Sequence, residues 1–311
     1  MSERNFGEAE TDAERAVEAA IARVPAWREQ GASYALMTGG ISNSNWRITL
    51  AGDERHQDPG CRDRDVRRPW RPTRRPGWRT PRGSAPRWSI SMPKPPRVAE
   101  LLEGYRACTN ADFAGRGQVQ LAASADCYRQ FHAGEGLGLT KTIFDMIDEH
   151  IAQVAGLGGS LPEDWPWLSR LYGNARSAFL ASGLDLVPCF NDPMPGNFLV
   201  KQDAPMKLVD YEFASMNERS YELGVWLGEM FFTEDTAARL LEAYAGELRP
   251  ELVARVAVMR ALADVKWATW AMVQEQISAL DFDYHKYGTW KYLRARSIMH
   301  DFRWEAWLRA L

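Results

Sequence analysis

The sequence predicts an α+β fold in two lobes, and three observations support this prediction. The chain has 311 residues, which is enough for two lobes and a large core. Two short apolar runs, Tyr34–Met37 and Trp46–Leu50, are typical of paired strands. Most later segments repeat apolar residues at helical spacing. We therefore expect a small β-containing lobe over residues 1–100 and a larger helical lobe over residues 101–311.

The amino-terminal segment predicts one helix followed by a hairpin. Thr11 and Glu14 form a capping-box pattern at the start of an amphipathic helix over residues 11–24, and Pro25 is expected to end it. The hairpin tip, TGGISNSN, is small and polar, and glycines of this kind let backbone N–H groups approach phosphate oxygens. On its own, such a tip is more typical of an ordinary hairpin.

An unusual segment follows the hairpin, at residues 55–88. It contains eleven arginines against three aspartates, has six prolines and lacks Lys, Leu and Ile. It shows neither helical nor strand periodicity, so we expect it to be irregular and the small lobe to be disrupted over residues 53–91. Three interpretations remain open: a basic arm that binds nucleic acid or an acidic surface, an insertion, or a stretch of gene read out of frame. The third is the one we favour.

Regular patterns return at Arg97. Residues 98–105 predict a strand that leads into a turn, and residues 107–113 look like the start of the second lobe. Helices are predicted over residues 124–132, 144–154, 165–182, 221–232 and 264–280.

Two polar clusters, each beside a strand-like apolar run, carry the chemistry. The first, FNDPMPGN, places Asp192 five positions before Asn197, and the second, KLVDYEF, ends an apolar run at Asp210. Phosphoryl transfer from a metal nucleotide uses one carboxylate to accept the hydroxyl proton, and an amide and a second carboxylate to hold magnesium. Asp and Asn beside Pro and Gly are also ordinary turn formers, but the two clusters in this order favour a kinase-like site.

These clusters, FNDPMPGN and then LVDYEFASMNERSYELG, resemble the catalytic and metal-binding loops of the choline/ethanolamine kinase family. That family lies within the aminoglycoside-phosphotransferase and protein-kinase-like superfamily, so the resemblance implies a bilobal, protein-kinase-like fold. It further implies Asp192 as catalytic base, and Asn197 and Asp210 as ligands of Mg²⁺. The family usually has His where this chain has Phe190, and Asp where it has Glu222, a residue expected to brace the loop.

The resemblance also implies a site for ATP in the small lobe. The hairpin tip would cover the phosphates, and the segment after Arg97 would form the hinge between the lobes. The implied nucleotide-binding residues are Gly39, Gly40, Ser42, Asn43, Ser44, Asn45, Glu100 and Leu102. The third strand of such a lobe should carry a Lys that pairs with the ATP phosphates, yet the chain has no Lys before Lys94.

A third group of residues resembles the amino-alcohol site of choline kinases. Trp267 and Trp270 share one helix face, a tyrosine-rich turn that contains Tyr284 follows, and Glu229 aligns with a carboxylate near the substrate's ammonium group. A quaternary ammonium donates no hydrogen bond and is best held by aromatic faces and a nearby carboxylate. Taken singly, each Trp is about as typical of an ordinary core.

Composition excludes several other classes of protein. The net charge of −3 gives no global attraction to nucleic acid, and no apolar run approaches the length of a membrane span. Four separated cysteines suggest a reducing cytoplasm, and the charged amino terminus does not resemble a signal peptide. We therefore expect a cytoplasmic ATP-dependent phosphotransferase acting on a small amino-alcohol. The alternatives are a kinase-like protein that binds the amino-alcohol without efficient turnover, an aminoglycoside-type phosphotransferase, or a nucleic-acid-binding protein that uses the basic arm.

Overall fold

The structure is a computed structural model that describes residues 3–37, 45–50, 87–91, 97–100, 102–113, 118–278 and 280–311. Within it the chain divides into two compact units, Met1–Gly104 and Tyr105–Leu311. The mixture of helices and small sheets agrees with the α+β class. None of the described helices is long and apolar enough to cross a bilayer.

The first unit is built on an antiparallel sheet in the order β1-β2-β3-β4-β5. Its strands are β1 (Arg4–Asn5), β2 (Ala32–Met37), β3 (Asn45–Leu50), β4 (Arg87–Ser91) and β5 (Arg97–Glu100). The predicted hairpin is confirmed as β2 and β3, in which Tyr34 lies opposite Ile48. The expectation of irregular structure is wrong at the end of the unusual segment, because Arg87 and Trp88 belong to β4. The rest of that segment, from residue 55 to 86, lies outside the described residues.

Two helices pack beside this sheet. Helix α1 (Asp12–Ile21) begins with the predicted capping box, in which the Thr11 hydroxyl accepts from Glu14 N and the Glu14 carboxylate accepts from Thr11 N. Pro25 follows the end of this helix, but it also begins a second one, α2 (Pro25–Glu29), which was not predicted. Proline suits the first turn of a helix because its missing N–H has no intrahelical partner there.

The second unit is mainly helical. Its helices are α3 (Asn110–Phe113), α4 (Gln118–His132), α5 (Ile143–Gly156), α6 (Trp165–Ser182), α7 (Arg219–Glu229), α8 (Glu234–Ala245), α9 (Pro250–Ile277), α10 (Tyr284–Met299) and α11 (Trp304–Arg309). Helix α6 has the predicted bounds, whereas α4 and α9 begin earlier than predicted. The strands are β6 (Arg106–Ala107), β7 (Leu186–Cys189), β8 (Phe198–Val200), β9 (Lys207–Leu208) and β10 (Ser215–Glu218).

Helix α9 lies at the centre of this unit, and small residues let its neighbours approach closely. A Cβ atom at Gly224 in α7 would lie 2.7 Å from the backbone nitrogen of Arg260, which is closer than real Cβ contacts. A Cβ atom at Gly288 in α10 would lie 3.3 Å from the carbonyl oxygen of Ala268. The core that forms around α9 includes Trp267 and Tyr292. This packing brings residues of α7, α9 and α10 together.

Candidate active site

Two pairs of short antiparallel strands position the two polar clusters. Strand β7 pairs with β10, and β8 pairs with β9. Asp192 lies in the loop from β7 to β8, and Asp210 lies in the loop from β9 to β10. The loops are joined directly, because the backbone N–H of Val209 donates to the carbonyl oxygen of Asn197 at 3.0 Å. The sheet pairing therefore brings the predicted base and both predicted metal ligands into two adjoining loops.

The predicted base and one predicted ligand also contact each other. The Asn197 side-chain nitrogen donates to the backbone oxygen of Asp192 at 2.8 Å and to its carboxylate at 3.1 Å. A turn of 3₁₀ helix, Pro195–Asn197, gives the chain the sharp bend that this contact requires. With its nitrogen directed at Asp192, Asn197 keeps its side-chain oxygen as the atom that can bind a cation. Asp210 has a left-handed backbone, with φ at 69°, a conformation that Asp tolerates better than most residues.

A buried carboxylate braces the catalytic loop, as predicted for Glu222. Its side chain is fully buried and accepts hydrogen bonds from the backbone N–H groups of Phe190 and Asn191, the latter at 3.0 Å. Asn191 in turn donates to the carbonyl oxygen of Phe213 at 2.7 Å and to the Ser215 hydroxyl at 2.8 Å. Asn191 therefore ties the loop of Asp192 to the loop of Asp210.

Sequence reasoning overlooked Asn191. The missed signal was an Asn directly before Asp192, since Asn often adopts the left-handed conformation that Asn191 shows, with φ at 67°.

The environment of Asp192 changes its acidity. Burial raises the pKa of this carboxyl to about 6, and the nearby Asp210 and Glu229 carboxylates act in the same direction. The positive charge of Lys266 and the hydrogen bond from Asn197 oppose this rise in pKa. A carboxylate with a pKa near neutrality is well suited to accept a proton from a reacting hydroxyl group.

Lys266 was not among the predicted site residues. It lies on α9, is only 2% exposed, and its ammonium nitrogen has no hydrogen-bond partner in the part of the chain that the structure describes. That nitrogen lies 3.0 Å from the ring centroid of Trp267 and 5.3 Å from that of Phe213. Burial lowers the pKa of Lys266 to about 7, whereas the carboxylates of Asp192 and Glu229 raise it. The sequence signal was a lysine inside an otherwise apolar helix face.

The predicted aromatic residues form one continuous cluster. Trp267 and Trp270 pack edge to face with centroids 5.4 Å apart, and Trp270 contacts Tyr284 at 5.8 Å in the same manner. Phe213 extends the cluster at 5.9 Å from Trp267, and Tyr287 does so at 6.2 Å from Trp270. The cluster therefore links the loop after Asp210 with α9 and α10.

Glu229, at the end of α7, is paired with cations of the protein itself. Its carboxylate contacts the ammonium group of Lys291 and lies 3.4 Å from the guanidinium group of Arg294. Arg294 also binds the buried carboxylate of Asp264 and donates to the Gly228 carbonyl oxygen at 2.8 Å. Lys291 lies 5.1 Å from the ring of Tyr287. The carboxylate predicted to receive the substrate therefore belongs to an ion-pair network of α7, α9 and α10.

The predicted nucleotide-binding residues are described only in part. Gly39, Gly40 and residues 42–44 lie outside the described residues, while Asn45 begins β3. Glu100 ends β5, and Leu102 follows it as a half-buried residue. Strand β4, the third strand counted from β2, reads RWSIS and contains no lysine.

Comparisons with known proteins show which family this chain resembles. A family model for choline/ethanolamine kinase matches residues 166–240. A human protein named choline/ethanolamine kinase is 23% identical over 216 residues, which cover 55% of this chain and 54% of that protein. The solved structure of a choline/ethanolamine kinase family protein from Mesorhizobium loti is 26% identical, with a TM-score of 0.64 over 69% of this chain and 74% of that chain. The resemblance to the choline/ethanolamine kinase family is confirmed.

The fold agrees over most of the chain. An ethanolamine kinase from Plasmodium vivax is only 12% identical, but its structure gives a TM-score of 0.68 over 94% of this chain and 92% of that chain. The predicted protein-kinase-like fold is thereby confirmed. By sequence, the chain spans about half of the length of the human relative.

The choline/ethanolamine kinase model covers Asp192, Asn197 and Asp210 but ends before α9. The roles of the aromatic cluster and of Lys266 therefore rest on the contacts described above.

Proposed function

We propose that this chain is an ATP-dependent phosphotransferase that transfers the γ-phosphate to the hydroxyl group of a small amino-alcohol. The observation that carries the proposal is the joined pair of loops, in which Asn197 contacts Asp192 and adjoins the loop of Asp210. The similarity to choline/ethanolamine kinases supports the same chemistry.

In this proposal, Asp192 accepts the proton of the attacking hydroxyl group. Its pKa, raised by burial to about 6, leaves the carboxylate ionised at neutral pH yet basic enough to hold a hydrogen bond to the hydroxyl group. The bond from Asn197 orients the carboxylate, and Glu222 fixes the backbone that carries it. The chain's own residues thus hold the base in place before the substrate arrives.

The side-chain oxygens of Asn197 and Asp210 form the donor set proposed for Mg²⁺. Oxygen atoms are the ligands that this hard cation prefers, so the residues fit the ion. When bound, Mg²⁺ supplies positive charge that neutralises the phosphate groups during transfer.

The aromatic cluster supports an amino-alcohol as the substrate. Trp267, Trp270 and Tyr284 lie on adjoining helices, and aromatic faces attract ammonium groups. An aminoglycoside carries several positive charges and would need several free carboxylates, whereas Glu229 is already paired with Lys291.

A second candidate is a protein that binds the amino-alcohol without efficient turnover. The observation that favours it is the absence of lysine from β4, since a kinase-like site uses a Lys of the third strand to hold the ATP phosphates. In this candidate the residues of α9 and α10 that bind the amino-alcohol are intact, but the ATP phosphates are held only weakly.

A phosphoryl-transfer assay with labelled ATP tests both candidates. We expect transfer to ethanolamine or choline by the wild type and transfer at least about 10²-fold slower by the Asp192→Asn variant, with an aminoglycoside as comparison substrate. Transfer to the aminoglycoside alone would overturn the amino-alcohol proposal. Binding of an amino-alcohol without any transfer would favour the second candidate.

A further inference from the structure

The feature with the strongest unexplained chemistry is the side chain of Lys266. Lysine is almost never fully buried without a partner, because removing an ammonium group from water is costly. Here its nitrogen is buried and, among the described residues, has no hydrogen-bond partner. Contact with the Trp267 ring at 3.0 Å offsets part of the lost hydration, because the ring face attracts a cation. An ammonium group of the protein therefore occupies the aromatic face proposed for the substrate's amine.

Lys266 also lines a cavity of about 150 Å³, together with Phe213, Ser215, Trp270 and His150. That volume equals the liquid volume of about five water molecules, the scale of a ligand with few heavy atoms. Burial lowers the pKa of His150, another residue that lines the cavity, to about 4, and the positive charge of Lys266 acts in the same direction. This imidazole is therefore neutral at pH 7. A ligand in this cavity therefore lies beside the Lys266 side chain, whose nitrogen is covered by its neighbours in this conformation.

A quaternary ammonium and a primary amine differ in the interactions that they can make with the Lys266 nitrogen. A quaternary ammonium has no N–H bond and no lone pair, so beside a protonated Lys266 it is only repelled. A primary ammonium carries N–H bonds, and Lys266, whose pKa is lowered to about 7, loses its proton to solvent before such an amine does. A Lys266 nitrogen turned towards the cavity then accepts a hydrogen bond from the substrate's N–H, so that two nitrogens share one charge. The carboxylates of Asp192 and Glu229 add negative potential at this point and hold that single charge in place.

We propose that Lys266 determines the specificity of the amino-alcohol site and selects a primary amine against a quaternary ammonium. This inference rests on the proposed function and narrows its substrate to amino-alcohols of the ethanolamine type. Lys266 acts on the amine, while Asp192 acts on the hydroxyl group.

Calorimetry with ethanolamine and choline tests the inference on the full chain. We expect the wild type to bind ethanolamine at least about tenfold more tightly than choline, which corresponds to about 1.4 kcal/mol. The Lys266→Met variant keeps most of the length of the side chain and removes its charge, so it should abolish or invert this preference. Lys141→Met is the matched control, because Lys141 lines the same cavity but is paired with Glu149. It should keep the preference.

A second measurement needs no variant and so stands even if Lys266→Met fails to fold. Methylammonium and tetramethylammonium carry the two head groups without the hydroxyl, and the wild type should bind the first more tightly. Equal or tighter binding of tetramethylammonium, or an unchanged preference in Lys266→Met, would overturn the inference. If ethanolamine binds as expected but is not phosphorylated, the proposed function is overturned and the inference about Lys266 stands. If neither amino-alcohol binds, both proposals fall.

Discussion

The side-chain amide of Asn197 donates hydrogen bonds to both the backbone oxygen and the carboxylate of Asp192, at 2.8 and 3.1 Å. One residue of the proposed metal pair thus orients the proposed base, although four residues separate them in the chain. The Val209 to Asn197 backbone bond adds the loop of Asp210 to the same unit. Base and metal ligands therefore share a scaffold but have different tasks, and substitutions should separate those tasks.

We expect Asp192→Asn to lower turnover by about 10²–10⁴-fold, the usual contribution of a general base, with little change in nucleotide affinity. Asp210→Asn should instead weaken magnesium-dependent nucleotide binding, because it removes the only charged group of the proposed ligand pair. Nucleotide titrations with and without Mg²⁺, together with single-turnover rates, measure both effects. Equal loss of nucleotide affinity in the two variants would contradict this division of roles.

Glu222 should matter for stability rather than for substrate contact. Glu222→Ala would leave the backbone N–H groups of Phe190 and Asn191 buried without acceptors, at a cost of about 1–3 kcal/mol each. Glu222→Gln keeps one acceptor oxygen and should lose less. Urea unfolding of the two variants gives the comparison. If Glu222→Ala unfolds at the same urea concentration as the wild type, the carboxylate does not brace the loop.

The sequence was sufficient for features that depend on local pattern. The capping box at Thr11, the bounds of α6 and the placing of Asp192 and Asp210 in loops between short strands all follow from residue spacing and turn chemistry. The family resemblance, carried by two motifs, then led to the correct fold.

Features that depend on distant contacts could not be predicted. Spacing does not reveal that Lys291 of α10 pairs with Glu229 of α7, because 61 residues lie between them. For the same reason, Glu229 was predicted to bind the substrate, and Lys266 was not predicted as a site residue. The start of α9 was missed because Pro250 stands well before the tryptophan motif, where it can begin a helix.

The buried position of Lys266 predicts a pH dependence of stability. Its pKa is lowered in the folded state to about 7, below the ordinary value of 10.5, so the unfolded chain binds more protons between these two values. The buried charge therefore destabilises the fold fully below about pH 7, and this cost shrinks as the pH rises from about 7 to about 10.5. The Lys266→Met variant should lack this pH dependence of stability, while Lys141→Met should retain it.

The measurement is the free energy of unfolding of the three proteins at pH 6, 8 and 9.5. The advantage of Lys266→Met over the wild type should be largest at pH 6 and should shrink towards pH 9.5. A constant difference over this range would contradict the burial of a charged amine.

The last prediction concerns Glu229, for which Lys291 and the substrate's amine would compete. Lys291 is buried, and its ammonium group contacts the carboxylate that the sequence predicted for the substrate's amine. Lys291→Met should therefore remove one competitor for this carboxylate, leaving Arg294 at 3.4 Å, and should tighten the binding of ethanolamine, whereas Glu229→Gln should weaken it. Both variants should unfold more easily. Glu229→Gln should cost about 3–5 kcal/mol, because it leaves the buried Lys291 without this partner, and Lys291→Met should cost less, because Glu229 keeps Arg294.

The double variant Glu229→Gln, Lys291→Met distinguishes stability from binding. It removes both charges, so it should recover much of the lost stability, since a neutral pair in place of a buried ion pair is often tolerated. It should not recover ethanolamine affinity, because the carboxylate is gone. Arg294 of α10 keeps its bond to Asp264 of α9 in all three variants. If Lys291→Met and Glu229→Gln change ethanolamine affinity in the same direction, Glu229 is a structural anchor and the amine binds elsewhere along the aromatic cluster.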